Sequence, residues 1–471
     1  MIRNCLCRMI DSAQGRRGYK RLKELRSLEY SNFADVQRVQ QQKLFALLQH
    51  AYKHIPYYSA LLKQHGIVDA RGNVHLERFQ DIPILTKDII RARFEDLKSD
   101  DLERRNWRFN QSGGSTGEPA RFIQDARYDD WKTAIKHLFD IWSGCHPGHK
   151  KSLLWGAERD LFVGQETLRV RFSRWVRNHR WLNAFRMTPE TMIKYVENLN
   201  DFNPDQILAY AESLYDLSRF IKLNNMCVKS PRAVMTSGGM LFPHMRRAIE
   251  EIFKVVLYNR YGSREVGDIA CECEKHNGFH LVPLTHYVEI LNPDGTTTGP
   301  GEMGDIVVTL LTNSAMPLIR YKIGDLGIFA QEACSCGRTW PLLKEVCGRS
   351  TDSFKRRDGG VVPPEYFAYL MSVLLNKNFY KSVQIIQEDY DVVRVKLVLC
   401  PQFKTSTDAV VQLEFKELEN KIKFVMHEFK ELEDKIKFVL GKDCRIVLDV
   451  VEDIPVTPTG KHRHILSLVK Q

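Results

Sequence analysis

Gln206–Tyr258 reads QILAYAESLYDLSRFIKLNNMCVKSPRAVMTSGGMLFPHMRRAIEEIFKVVLY. Three short runs rich in apolar residues, Gln206–Tyr210, Ala233–Ser237 and Val255–Tyr258, fit buried strands. Between them Ser213–Leu223 and Pro243–Phe253 carry apolar residues at helical spacing. Upstream, Ser152–Trp155 and Glu190–Leu199 add another strand and helix of the same kinds. Strand–helix alternation predicts an α/β fold with a largely parallel sheet.

Downstream the rhythm changes. From His280 to Phe329 strands alternate with turns: HYVEIL, then NPDG, then GDIVVTLL, which predicts an antiparallel β subdomain. Composition breaks near Gly348–Gly360. Beyond it Ser382–Gln387 and Val392–Leu399 read as paired strands, followed by a long charged helix and the strand Cys444–Val451. The expected organisation is a large α/β domain with its β subdomain over residues 1–351, then a small mobile α+β domain over 352–471. Towards the N-terminus, residues 1–30 read as a basic helical lead-in and Val36–Gln64 as a helix broken at Pro56. Asp81–Leu97 reads as a proline turn with a helix start, and Arg127–Ile141 as a helix.

The long charged helix repeats itself. EFKELENKIKFV begins at Glu414 and EFKELEDKIKFV at Glu428, a period of two heptads over the duplicated helix 414–439. Leu418, Ile422, Leu432 and Ile436 recur on one stripe. The pattern leaves open a coiled-coil contact, a homodimer included, against a simple lengthening of a surface helix.

With 471 residues the chain is long enough for two or three domains. Lys plus Arg exceed Asp plus Glu by 69 to 58, a net charge of +11, spread along the chain with a local cluster over Arg16–Arg26. That excess fits a solvated basic face or an anionic partner such as ATP, coenzyme A, an acidic carrier protein or a membrane surface. Nucleic acid is not expected, since no recognisable binding module accompanies the charge. No apolar run approaches the roughly 18 residues of a membrane span. The polar start MIRNCLCRMIDSAQGRRGYKR does not resemble a secretory signal. The expected compartment is the cytoplasm, where the eleven cysteines stay reduced. Clustered cysteines then read as metal ligands, and scattered ones such as Cys145 and Cys227 as core filler.

Chemistry concentrates in a few motifs. SGGSTGEPAR, Ser112–Arg121, combines glycines that free the backbone to wrap an anion with hydroxyls that bond phosphate oxygens. It lacks the Lys–Ser/Thr pair of a Walker loop. RYGSREVG (Arg260–Gly267), IRYKIGDLG (Ile319–Gly327), GRSTD (Gly348–Asp352) and PVTPTGKHR (Pro455–Arg463) follow in order. CECEKHNGFH (Cys271–His280) and CSCGR (Cys334–Arg338) place six Cys and His candidates on two short segments within 271–338, a spacing that matches a structural zinc site.

This ordered set resembles the adenylate-forming superfamily of acyl-CoA synthetases, peptide-synthetase adenylation domains and luciferases. Within it the chain is similar to the phenylacetate–CoA ligase branch, whose members include relatives encoded at capsular-polysaccharide loci. The lead-in QQKLFALLQHAYKHIPYYSALL and the pair TSGGMLF plus YGSRE carry the same likeness, which runs from about Gln40 to Lys461. The resemblance implies ATP-dependent activation of a small carboxylic acid to acyl-AMP, with release of pyrophosphate, then acyl transfer to coenzyme A. Transfer to an amine, a hydroxyl or a carrier protein, for example in polysaccharide biosynthesis, stays open. So does an inactive ATP-binding interaction protein, although Glu265, Asp325 and Lys461 together argue for chemistry.

The resemblance also implies residue roles. Ser112, Gly113, Gly114, Ser115, Thr116 and Gly117 would close over the ATP phosphates, with Thr116 in the catalytic set. Ser237, Gly238 and Gly239 would line the adenine pocket beside Gly262, and Tyr261 would stack on the base. Glu265 would hold Mg²⁺, which suits a carboxylate oxygen. Asp325 would accept from both ribose hydroxyls. Arg349 would lie near ribose or phosphate, Asp352 would be the hinge, and Lys461 would meet the α-phosphate and the substrate carboxylate. For zinc the preferred set is Cys273, His280, Cys334 and Cys336, with Cys271 and His276 as competitors. Trp131, Tyr210, Ala211 and Tyr258 are the candidates for the acyl pocket, by proximity to the motifs.

Overall fold

The computed structural model describes residues 2–13, 15–111, 120–156, 174–184, 187–349, 353–358, 361–362, 366–367, 380–399, 432–455 and 465–469. The chain divides into two compact units, one of Met1–Leu241 with Ala248–Val346, the other of Phe242–Arg247 with Cys347–Gln471.

The first unit opens with helices α1 (Ile2–Ala13), α2 (Gly18–Ser27), α3 (Phe33–His54), α4 (Pro56–Gln64) and α5 (Lys87–Ala92). Pro56 occupies the first turn of α4, where its missing N–H costs nothing, so the predicted break separates two helices. A hairpin of β1 (Trp107–Gln111) and β2 (Arg121–Asp125) leads into α6 (Ala126–Trp142). Asp125 caps α6 by accepting from Tyr128 N at 2.9 Å, and its other carboxylate oxygen accepts from Ser314 N at 3.1 Å. The α/β part continues with β3 (Lys151–Trp155), β4 (His179–Asn183), α7 (Pro189–Phe202), β5 (Gln206–Tyr210), α8 (Ala211–Leu223), β6 (Ala233–Ser237) and α9 (Pro243–Phe253). Then come β7 (Leu257–Ser263), β8 (Gly267–Glu272), β9 (Phe279–Leu281), β10 (His286–Leu291), β11 (Met303–Leu310), β12 (Tyr321–Phe329) and β13 (Leu342–Arg349).

Among the described residues, eleven strands join in one sheet, ordered β10-β11-β12-β13-β9-β8-β7-β6-β5-β3-β4. The β4, β3, β5, β6 and β7 stretch is parallel, as the alternation predicts. The antiparallel part is not a separate layer. It is spliced on through β7, whose first residues pair parallel with β6 and whose later residues pair antiparallel with β8. One cluster of buried residues packs α3 and α4 against the antiparallel strands. A second packs α6 and α2 over β3, β5, β6 and β8, with Trp131, Leu138 and Trp142 inside it. A third packs α7, α8 and α9 on the parallel strands. Cys145 is buried as core filler, but Cys227 is exposed, in the segment after α8.

The second unit holds a hairpin of β14 (Phe354–Lys355) and β15 (Val361–Val362). Its four-stranded sheet joins β16 (Tyr380–Asp389), β17 (Val392–Leu399), β18 (Arg445–Val450) and β19 (Ile465–Ser467) in the order β18-β17-β16-β19. β16 and β17 are the antiparallel pair, and the two outer strands run parallel to their neighbours. Residues 432–440 are helical, with Leu432 and Ile436 buried, so the second copy of the repeat turns its apolar stripe inward. Residues 414–431 lie outside the described residues. No helix among the described residues is long and apolar enough to cross a membrane.

Candidate functional site

In open α/β sheets, ligands bind in the crevice at the carboxyl ends of parallel strands. Several predicted residues lie there. Ser237 ends β6, and Gly238 follows with φ of 79°, a conformation that favours glycine. A side chain at Gly238 would also strike the Tyr210 ring at 2.8 Å. Tyr210 ends β5 and stacks on Trp155, at the end of β3, with ring centroids 4.1 Å apart. Gly239 stands against the Glu212 carboxylate. The TSGG turn is thus packed against the aromatic ends of its neighbouring strands.

β7 continues from this crevice into its turn with β8. Tyr261 donates its hydroxyl to Asp325 on β12 at 2.8 Å, so the residues assigned to base and ribose meet directly. Gly262 lies hard against the Gly267 carbonyl in the β7–β8 turn, with no room for a Cβ. Glu265 sits in that turn, 6% exposed. Its carboxylate accepts from the Tyr321 hydroxyl at 3.4 Å and lies 3.6 Å from Lys87 Nζ.

Lys87 was not among the predicted site residues. Its motif, IPILTKDII, shows only a proline turn and a helix start. Its placement depends on a distant pairing. Leu85 bridges Tyr321 in parallel, with Leu85 N donating to Arg320 O and Lys322 N to Leu85 O, both at 2.9 Å. Arg320 is buried, pairs with Glu289 at 3.0 Å and donates to Ile82 O at 2.6 Å. Thr86 then caps α5, and Lys87 opens the helix beside Glu265. Arg349 ends β13, and its carbonyl accepts from Ser353 at 3.5 Å. Ser112, Gly113, Gly114, Ser115, Thr116, Gly117, Asp352 and Lys461 lie outside the described residues.

A second cluster forms between the β8–β9 and β12–β13 connections. One ligand atom from each of Cys273, His280, Cys334 and Cys336 lies within 4.8 Å of the others. Cys273 and Cys334 sulfurs are 3.6 Å apart, and Cys336 Sγ lies 3.2 Å from His280 Nε2. Tetrahedral zinc, with bonds of about 2.3 Å to sulfur and about 2.0 Å to nitrogen, asks for donor separations of this size. Burial, and then the Arg338 charge, drives His280 down to about 4, so its imidazole is neutral and offers a lone pair. Backbone N–H groups of Lys275 and Arg338 donate to Cys273 and Cys336 at 3.4 Å each, which favours thiolate against the burial that raises Cys273. The competitors are placed elsewhere. Cys271 faces the core over α6, and His276 pairs with Glu272 at 3.2 Å.

The model of the CapK C-terminal domain matches residues 354–467. Protein CapK of Staphylococcus aureus is 24% identical over 455 residues, covering 96% of this chain and 92% of that protein. The phenylacetate–coenzyme A ligase of Thermus thermophilus is 26% identical over 447 residues, covering 92% and 96%.

Over nearly its whole length the chain is similar to CapK and to phenylacetate–CoA ligases, a likeness that fits the phenylacetate–CoA ligase-like branch of the adenylate-forming superfamily.

Solved structures agree on the fold. A 2-hydroxyisobutyryl-CoA ligase in the postadenylation state, in complex with R3-HIB-AMP, superposes with a TM-score of 0.67 at 18% identity, covering 93% of this chain and 89% of that one. An anthranilate-CoA ligase in complex with anthranoyl-AMP gives a TM-score of 0.51 at 15% identity, covering 75% and 65%. The large mixed α/β sheet and the smaller α+β region are those of adenylate-forming ligases. On that fold the residues grouped around Glu265 and Asp325 offer two carboxylates, one lysine and two tyrosine hydroxyls around the β7–β8 turn and β12.

Proposed function

We propose that the protein is an AMP-forming ligase that activates a carboxylic acid and passes the acyl group to coenzyme A. The observation that carries this reading is the joining of Tyr261 to Asp325 and of Lys87 and Tyr321 to Glu265, beside the TSGG turn. On this reading Tyr261 and Asp325 would face the nucleoside, and Glu265 and Lys87 the phosphates. The substrate carboxylate is ionised at neutral pH and needs no general base. One of its oxygens attacks the α-phosphorus of ATP, the bond to the bridging oxygen breaks, and pyrophosphate leaves. The obstacle is repulsion between two anions, which fixed positive charge offsets. Lys87, 3.6 Å from Glu265, would supply one such charge, and Lys461 would add a second from the small domain. The Glu265 carboxylate suits Mg²⁺, which would neutralise phosphate charge when bound. In the second step a thiolate attacks the acyl carbonyl and AMP departs, with rotation of the small domain about Asp352 separating the two steps. The four-residue Cys/His set would hold a structural zinc ion, with no open position for substrate.

A second reading concerns the acceptor. The likeness to CapK, whose name belongs to a capsule locus, favours an amine, hydroxyl or carrier protein in polysaccharide biosynthesis in place of coenzyme A. Pyrophosphate release over a panel of aryl, aliphatic and amino acids, followed by mass analysis with and without coenzyme A, tests both steps. Acid-dependent release that falls about 10²-fold in Glu265→Gln is expected. Acid-independent ATP hydrolysis alone would reject the reading, and a product without a thioester would select the other acceptor.

A further inference from the structure

One face of α6 carries Tyr128, Lys132 and Lys136 at successive four-residue steps, neighbours on a helix surface. Opposite it, β8 presents Asp268, three residues after Glu265, and β7 presents Arg260. Arg260 Nε lies 3.6 Å from Asp268 Oδ1, and its guanidinium lies 5.8 Å from the centre of the Trp155 ring. Trp155 in turn stacks on Tyr210, which packs against Gly238. The charged group is therefore continuous with the crevice at the carboxyl ends of β3, β5 and β6.

Its charge does not balance. Among the described residues Lys132, Lys136 and Arg260 face Asp268, and Asp129, the other carboxylate near Lys132, is paired with Arg108. The next pair along, Lys151 and Asp140, is closed at 2.6 Å, so it brings one charge of each sign and leaves the surplus unchanged. Among the described residues, Lys132 and Lys136 have no carboxylate within ion-pair distance, and Lys132 has only the Tyr128 ring, 5.6 Å away. The cavity lined by Tyr128, Lys132, Gly267 and Asp268 has about 10 Å³ of room, enough for one water. It holds no acyl chain, so an occupant of the lysines must come from the crevice. Lys136 fits that geometry. Its side chain is exposed on the helix face one turn beyond Lys132. Despite its burial, Asp268 is held below the usual carboxylate range by Arg260, Lys136 and Lys132. An incoming ammonium would meet three cations and one carboxylate that is already engaged. An incoming anion would offset the surplus.

We propose that the acid activated by this protein carries a second anionic group, a dicarboxylate in its simplest form, held by Lys132 and Lys136 beside the Arg260–Asp268 pair. This rests on the adenylation reading and names its substrate class. The phosphates of ATP or coenzyme A are the other source of negative charge, and the test separates the two.

Pyrophosphate release is measured with matched acids, glutarate against pentanoate and 4-carboxyphenylacetate against 4-methylphenylacetate. The expected result is at least a tenfold higher kcat/KM for the diacid of a pair, reduced at least tenfold in Lys132→Met/Lys136→Met. Lys136→Met alone, at an exposed position, should show part of the same loss if the double variant folds poorly. Equal or greater activity with the monoacids overturns the inference and leaves adenylation standing. So does a variant in which the KM for ATP or coenzyme A rises equally with every acid. No release with any acid overturns the adenylation reading. The cluster is then judged by the rise in Tm that a diacid gives, expected in the wild type and absent from the double variant.

Discussion

His286 is 2% exposed, with Nε2 2.9 Å from Val266 O and Nδ1 2.9 Å from the Thr285 hydroxyl. Burial drives its pKa down to about 4, against partial opposition from the Val266 bond and Asp268. The unfolded chain binds a proton there near pH 6.5, so between 6.5 and 4 the unfolded state holds more protons. Stability from this group is complete above pH 6.5 and is lost as pH falls towards 4, by about 3 kcal/mol at most. His137 and His179, lowered to about 4 and about 3 by burial, act in the same direction. Urea midpoints at pH 7.5 and pH 5 should drop steeply in the wild type and less steeply in His286→Gln. Equal drops would show that His286 is not held neutral by its surroundings. Lys87 shows the opposite relation to sequence. Its pairing with Glu265 is made by the Leu85–Tyr321 bridge, a long-range contact that no local pattern encodes.

At the scale of elements, the β8–β9 and β12–β13 connections carry the Cys/His cluster, and the residues of both motifs were visible in the sequence. Among the six candidates, the end of β8 separates Cys271 from Cys273, which alternation alone would place on one face. Cys271 points from β8 into the core under α6, while Cys273, two residues on and beyond the strand end, joins the other group. Purified protein should contain about one zinc per chain, and Cys334→Ser/Cys336→Ser should lose it. Chelation should lower Tm before it changes the rate of pyrophosphate release, because a closed site is structural. Protein free of zinc with unchanged Tm would reject the assignment. The duplicated helix gives a second test. Leu432 and Ile436 of its second copy are buried, whereas Phe438 is 86% exposed. The described part of the second copy therefore packs through that stripe. On the sequence reading of a continuous helix, removing Glu414–His427 would take out roughly 21 Å and turn the downstream residues by about 40°. A soluble variant that keeps acid-dependent pyrophosphate release is expected. A change in its mass by light scattering would instead assign the first copy to a contact between chains, and insolubility would make it integral to the small domain.

Over the whole molecule, the parallel half of the large sheet was legible because its strands are buried on both faces and read as apolar runs between amphipathic helices. β4, HRWLN, was not, because an edge strand with burial on few residues lacks that signature. β1, WRFNQ, was hidden for the same reason, and the sequence showed only the glycine-rich loop beyond it. The continuity of the antiparallel part with the parallel part depends on β7 changing partners midway, a property of pairing and not of composition. Of the candidate site, the motifs singled out Ser237, Gly238, Tyr261, Glu265 and Asp325, while Lys87 and the Lys132–Lys136 face lie in segments read only as a helix start and a helix. The remaining test of the whole enzyme concerns Lys461 in PVTPTGKHR. On the adenylation reading, this lysine is a point charge used only while the carboxylate approaches the α-phosphate. The thioester step starts from a mixed anhydride whose carbonyl is already activated, so it has no need of that charge. Lys461→Ala should therefore slow acid-dependent pyrophosphate release by about 10² or more, while thioester formation from supplied acyl-AMP and coenzyme A stays near the wild-type rate. Single-turnover measurement of each half-reaction separates the two. If both fall equally, Lys461 acts in one fixed arrangement, and the account in which the small domain rotates about Asp352 fails. If neither falls, Lys87 alone supplies the positive charge at the α-phosphate.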